Sequence, residues 1–225
     1  MGQGNSLSSD IRAKTPKDEP RGLSETKTGI ILDETRDGGF LVDLAGKLLI
    51  AMPAMGDERF ARSVILICAH TDEGAMGLII NKPVPDFSFS DLLGQLKITG
   101  RGQGRDIRVH FGGPVERGRG FVLHSNDYTC GNATTHLQGG FGMTGTMDVL
   151  EALAKGGGPR HALLALGYAG WGHGQLENEI ARNDWLLSDP HQDLVFSHQD
   201  SRKWVGAMRG MGIDLISLSP RAGRA

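Results

Sequence analysis

The sequence is poor in the residues that announce a chemistry. Only two of its 225 residues are cysteine, Cys68 and Cys130, far apart and in no CxxC spacing. This argues against a paired-thiolate metal site and a dithiol redox motif. Cys68 follows the apolar run Val64-Ile-Leu-Ile67 and is expected as a buried free thiol. Aromatic residues make up 6% of the chain, and 24 basic residues against 26 acidic ones leave a net charge of −2. No general attraction to nucleic acid or an anionic membrane follows from that balance, and direct nucleic-acid contact is not expected. No apolar run approaches the ~20 residues that span a bilayer. The first residues contain no apolar h-region. The expectation is a cytoplasmic protein with no membrane segment. HExxH, GxSxG and GxxxxGK[ST] motifs are absent, and the eight histidines form no close ligand pair. No catalytic residue, metal or cofactor is assigned.

Glycine is abundant, with 34 residues, too many for a helical bundle. Residues 1–27 are polar, lack apolar periodicity and read as a disordered tail. Residues 28–216 are expected to form one domain, followed by a basic tail over 217–225. Short strands are predicted over Lys47–Ala51, Ser63–Ala69 and Ala75–Ile80. The second, apolar on both faces, is expected to be central, and a Thr71–Gly74 turn joins it to the third. Ile107–Phe111 and Gly120–His124 read as further strands, with Arg117–Gly120 as the turn into the latter. Residues 126–141 read as irregular with edge strands. Helices are predicted after Ser90, after Thr146 and after Asp200, each taken as an N-cap.

Leu166–Ile180 is the most distinctive stretch. The apolar run His161–Leu166 predicts a buried strand. Gly167, Gly170, Gly172 and Gly174 then predict a glycine loop, and Gln175 opens a helix. Two other polar-glycine clusters accompany it: Asn81-Lys82-Pro83, and Gly112-Gly113-Pro114 with Arg117 and Arg119. If the three converge, they form a cleft. Lys82 and Arg119 would hold an anionic group, backbone N–H groups near Gly112, Gly113 and Gly174 would orient it, and Asn81, Trp171 and Gln175 would complete the wall. The alternative is that the glycines only permit tight turns and close packing. Trp171 would then be core, and Glu177 and Glu179 a solvated or capping face. Gly140-Phe-Gly142-Met-Thr-Gly145 matches GxGxxG, but no acid falls between Glu151 and Glu177, where a dinucleotide site would want one.

Three strings, LLIAMPAMGDERFARSVILICAHTDEGAMGLIINKP, HFGGPVERGRGFVLHS and LGYAGWGHGQLENEIARNDWL, resemble the YqgE/AlgH family in order and over roughly residues 30–213. The resemblance implies an α+β fold: a bifurcated, mostly antiparallel β-sheet with a small barrel-like part, flanked by short helices. It implies no established activity. The family's label of transcriptional regulator does not transfer by membership alone. This sequence carries Ala69 where the family usually has an acid, and it also departs near Phe196-Ser197. The expected function is a non-enzymatic binding or regulatory protein whose cleft takes a small anion or a protein partner. A hydrolase or transferase with unassigned residues is one alternative. A regulator acting on DNA is another, although no helix-turn-helix pair with a basic recognition helix is found.

Overall fold

The computed structural model describes residues 32–34, 40–100, 105 and 107–213. The expectations for residues 1–27, for the tail from Ser217 and for most of the Thr99–Arg105 loop lie outside or at the edge of that range. The chain divides into two units, Met1–Val42 and Asp43–Ala225. The first holds an antiparallel pair, β1 (Leu32–Glu34) and β2 (Phe40–Val42). The second opens with β3 (Leu48–Ala51), β4 (Val64–Thr71), β5 (Gly74–Ile79), α1 (Phe89–Gln95), β6 (Val109–Phe111) and β7 (Val115–Ser125). It continues with β8 (Thr134–Leu137), β9 (Phe141–Thr144), α2 (Met147–Ala154), β10 (Ala162–Gly172), α3 (Gln175–Ala181), β11 (Trp185–Ser188), α4 (Gln192–Val195) and α5 (Asp200–Gly210).

The strands of the second unit form one sheet in the order β11-β3-β4-β5-β10-β7-β9-β8, curled into a half-barrel. All its pairings are antiparallel except β6 beside β10. The sheet forks at β10. Leu164–Leu166 pair with β6, and Ala169–Gly172 pair with β5. The expected hairpin over β4 and β5 is present, and β4 is flanked by β3 and β5.

Strand alternation sends side chains to three cores. Leu48, Ile50, Leu66, Cys68, Leu78, Phe121, Leu123 and Ala165 point into the curl, where Trp204 and Met208 of α5 close it. Burial pushes the Cys68 thiol up to about 12, so it packs as a small apolar group. Leu49, Ile65, Ile67, Ile79, Ala169 and Trp171 face outward under Leu176 of α3. Val109, Val122 and Leu164 face outward on the other branch, under Phe89 of α1 and Val149, Leu150 and Leu153 of α2.

Several local expectations need correction. The predicted glycine loop is strand: β10 runs unbroken through Gly167, Gly170 and Gly172, because each half of it finds a different partner strand. Likewise Arg117–Gly120 is no turn but part of β7, in an irregular stretch where its register with β10 shifts between Leu166 and Tyr168. The cap of α1 is Ser88, not Ser90. Ser88 Oγ accepts from Asp91 N while the Asp91 carboxylate accepts from Ser88 N, a capping box. Thr146 stands at the N-cap of α2 without a capping hydrogen bond. The N-cap of α5 is Gln199, since the Asp200 carboxylate is engaged with long-range partners.

Candidate functional site

The structure brings the predicted site residues together in separate groups. Gly112 and Gly113 pack directly on the backbone of Gly167 and Tyr168 at the fork of the sheet. Gly112 N donates to Leu166 O, and its own carbonyl accepts from Ile79 N, at 2.8 and 2.9 Å. Gly167 has φ +72°, and a methyl group there would stand 2.6 Å from Gly113 O and 2.7 Å from Val115 O. These glycines permit close approach of protein backbone to protein backbone.

Asn81 and Lys82 follow the end of β5 and tie it to the chain before β4. The Asn81 amide accepts from Val64 N and donates to Arg62 O, both at 2.8 Å. Lys82 Nζ donates to Arg59 O at 2.6 Å, and partial burial lowers the ammonium below its usual range.

Trp171, Gly174 and Gln175 do come together, around a residue that the sequence reading set aside. Glu179 Oε2 accepts from the indole N–H of Trp171 (2.9 Å) and of Trp185 (2.8 Å). Its Oε1 accepts from Gln175 Nε2 at 2.9 Å, and Gln175 Oε1 accepts from Gly172 N. Gly174, at φ +66°, turns the chain into α3. Nearby, Leu44 N donates to His70 Nδ1, which leaves His70 Nε2–H to donate to Glu177 at 2.7 Å. Both glutamates therefore bind α3 to the sheet, Glu179 from a half-buried position and Glu177 from an exposed one.

Arg119 belongs to a different place. It reaches Glu116 at 3.3 Å and lies over the Phe121 ring, 4.9 Å from its centroid. It also lines a groove of about 240 Å³ between α1, α2 and β7. Leu92, Val122, Leu150 and Leu166 give this groove an apolar floor, and Leu96 and Met147 stand exposed on it. Thr146 Oγ1, also in its lining, is buried without a hydrogen-bond partner. The GxGxxG stretch contributes strand β9, not a phosphate loop. A Cβ at Gly142 would meet the His124 ring at 2.5 Å, so that glycine makes room for a side chain.

Two further polar clusters escaped the sequence reading. In the first, Asp200 accepts from Arg108, from His110 Nε2 (3.0 Å) and from Lys203 Nζ (3.0 Å), which also donates to Ile80 O at 2.7 Å. Burial alone would raise the Asp200 carboxyl, but the hydrogen bond from His110 and the charge of Lys203 outweigh it and hold it at about 2. Burial lowers the Lys203 ammonium to about 8 against the opposing pull of Asp200. The signal was present in α5: Asp200, Lys203, Trp204, Ala207 and Met208 share the buried face, two charges at i and i+3 on an apolar stripe. The second is a pocket of about 70 Å³ beside it, lined by Arg105, Arg108, His161 and His198. These residues come from three segments, and no sequence spacing links them.

Among the described residues, no group of three or more His, Cys, Asp or Glu is placed to hold a metal ion. No helix there is long and apolar enough to cross a membrane.

Comparison with known proteins adds the relationship. A UPF0301 protein of Cereibacter sphaeroides is 61% identical over 184 residues, covering 82% of this chain and all of that one. A UPF0301 protein of Jannaschia is 55% identical, covering 81% and 96%. The solution structure of the AlgH protein from Pseudomonas aeruginosa superposes with a TM-score of 0.65 at 38% identity, covering 81% of this chain and 96% of that one. The crystal structure of protein DIP2367 from Corynebacterium diphtheriae, at 23% identity and a TM-score of 0.59, shares the fold and covers 74% and 86%. The AlgH-like family model matches residues 48–216, the stretch that builds the forked sheet and its flanking helices, and the chain belongs to that family.

Proposed function

We propose that this protein is a non-enzymatic binding protein that holds an extended segment of a protein partner in the groove between α1, α2 and β7. One observation carries the reading: Leu96 and Met147, two of the three large hydrophobic residues exposed among the described residues, both line that groove. An apolar recess rimmed by polar residues is the usual mark of an interaction site. The volume supports a protein segment over a free small molecule, since about 240 Å³ lies below the ~300–1,000 Å³ of small-molecule sites. Charge selects the segment. Arg119 at the rim favours an acidic residue next to the apolar side chain that fills the floor. Asn81, Lys82, Gly112, Gly113, Trp171, Gly174 and Gln175 support the scaffold in this reading, and Arg119 alone of the predicted set contacts the partner. An adaptor or regulator works in this way, by occupancy. We take the cytoplasm as its compartment, which suits the free thiols Cys68 and Cys130.

Selection of a random displayed-peptide library on the immobilised protein tests the reading. Acidic–apolar peptides should be enriched. Their affinity should fall at least about ten-fold for Met147→Glu and Leu96→Glu, as loss of a buried apolar anchor implies. Arg119→Glu should reverse the charge preference. Selected peptides that bind all three variants as tightly as the parent would rule the groove out.

A further inference from the structure

A second site lies apart from the groove and shares no lining residue with it. We propose that the pocket lined by Arg105, Arg108, His161 and His198 binds a phosphate-sized oxyanion. Its volume of about 70 Å³ exceeds the ~10–15 Å³ needed for one water and falls far short of a nucleotide site. Two guanidinium groups and two imidazoles line it, and no carboxylate does among the described residues.

The arginines are already held in place. Arg105 donates from its two terminal nitrogens to Pro159 O and Arg160 O. Arg108 donates likewise to Asp200 and Ser197 O. A guanidinium has five N–H donors, so each retains its Nε–H and the second hydrogen on each terminal nitrogen. Little side-chain entropy remains to be lost on binding. His161 is stacked on Phe196, with ring centroids 5.6 Å apart and planes at 22°, which fixes the imidazole at the pocket wall.

Charge gives the second line of argument. Asp200 is shared among Arg108, His110 and Lys203. One carboxylate thus faces two permanent or largely protonated cations, Arg108 and Lys203, and Arg105 adds another cation to the pocket lining. Like charges around one small volume repel, and an oxyanion between them converts that repulsion into attraction. Forked donors also match tetrahedral oxyanions better than a point charge does.

Calorimetric titration with sodium phosphate, against sodium chloride at matched ionic strength, tests this on the full chain. Phosphate should bind saturably and raise Tm, and chloride should not. Arg105→Gln should weaken binding about ten- to hundred-fold, the loss expected for charge-assisted hydrogen bonds. His198→Asp, at an exposed position, places a negative charge at the mouth without removing a described hydrogen bond, and it should weaken binding at least as much. An O-phosphoserine arm separates the sources. Equal affinity for it assigns the pocket to phosphomonoester ends, and a preference for phosphate assigns it to the free ion. Phosphate that acts no differently from chloride, or equal affinity across the parent and both variants, would overturn the proposal.

Discussion

The two outward faces of the forked sheet are covered in different ways. Over β3, β4 and β5, helix α3 is fastened by directional polar ties: Glu179 to two indoles, and a half-exposed Glu177 to the buried His70 side chain. Over β6, β7 and the first half of β10, α1 and α2 rest on apolar contact. They leave a groove with Leu96 and Met147 exposed and Thr146 Oγ1 unpartnered. Directional bonds fix a helix in one place, whereas an apolar contact tolerates a gap. Rigidity therefore lies on one face and the candidate for binding on the other.

The largest test strikes the seam that both faces share. Gly167→Val would drive a branched side chain into the backbone of Gly113 and Val115 at a φ that only glycine adopts easily. The expected cost exceeds ~4 kcal/mol, and the variant should fail to fold as judged by circular dichroism and urea denaturation. A soluble, cooperatively folded Gly167→Val would show that the branches do not depend on this contact.

The fastened face comes next. Glu179→Ala leaves two buried indole N–H groups without an acceptor, at a cost of roughly 2–4 kcal/mol. Glu179→Gln keeps an acceptor oxygen and should cost less than half as much. Tryptophan fluorescence in urea reads both. Equal loss in the two variants would mean that packing, not the indole hydrogen bonds, holds α3.

Acid should act in two steps, first beneath the groove and then where α5 closes the curl. His124 lies under the groove, with Nδ1–H donating to Ser125 O and Nε2 accepting from Thr144. Burial lowers its pKa, so the folded state favours the neutral ring. The associated stability is complete above the ordinary imidazole value and declines as pH falls below it, because the unfolded chain then binds the proton first. Asp200 is also depressed, to about 2. Its contribution, roughly 2 kcal/mol, persists above the ordinary carboxyl value and is lost as pH falls from ~4 towards ~2. Hydrogen exchange at pH 5 should loosen β8 and β9 before β3 and β4. Simultaneous loosening of both pairs would contradict this assignment.

The smallest effect is expected at the groove. Met147 is 44% exposed, and Met147→Glu should change stability by less than ~0.5 kcal/mol in urea denaturation. A larger loss would make Met147 part of the core and remove the contrast between the faces.

Local chemistry made much of the scaffold legible. Val64–Ile67 is apolar on both faces, and it lies in a central strand with a core on each side. Leu150 and Leu153 face inward in α2, and the chain leaves that helix through Gly156 at φ +82°. The cap of α1 differs from the predicted one: Ser88 and Asp91 carry the capping-box spacing, and Ser90 lies inside the helix. The family's three motifs span the same sheet, so resemblance and periodicity pointed to one fold.

By itself the sequence determined which segments are strand or helix wherever the deciding interaction lies within a few residues: alternation, amphipathic spacing, a cap. Only tertiary structure decided what the glycines are for. Gly167 and Gly170 look like a loop in one dimension, and they become a strand because β7 lies along one half of β10 and β5 along the other. The same holds for charge. Asp200 meets Arg108 and His110 across about ninety residues, and Glu179 serves two indoles on different strands. A carboxylate takes whatever donor the fold delivers, and that delivery is a long-range geometric fact that no local spacing encodes.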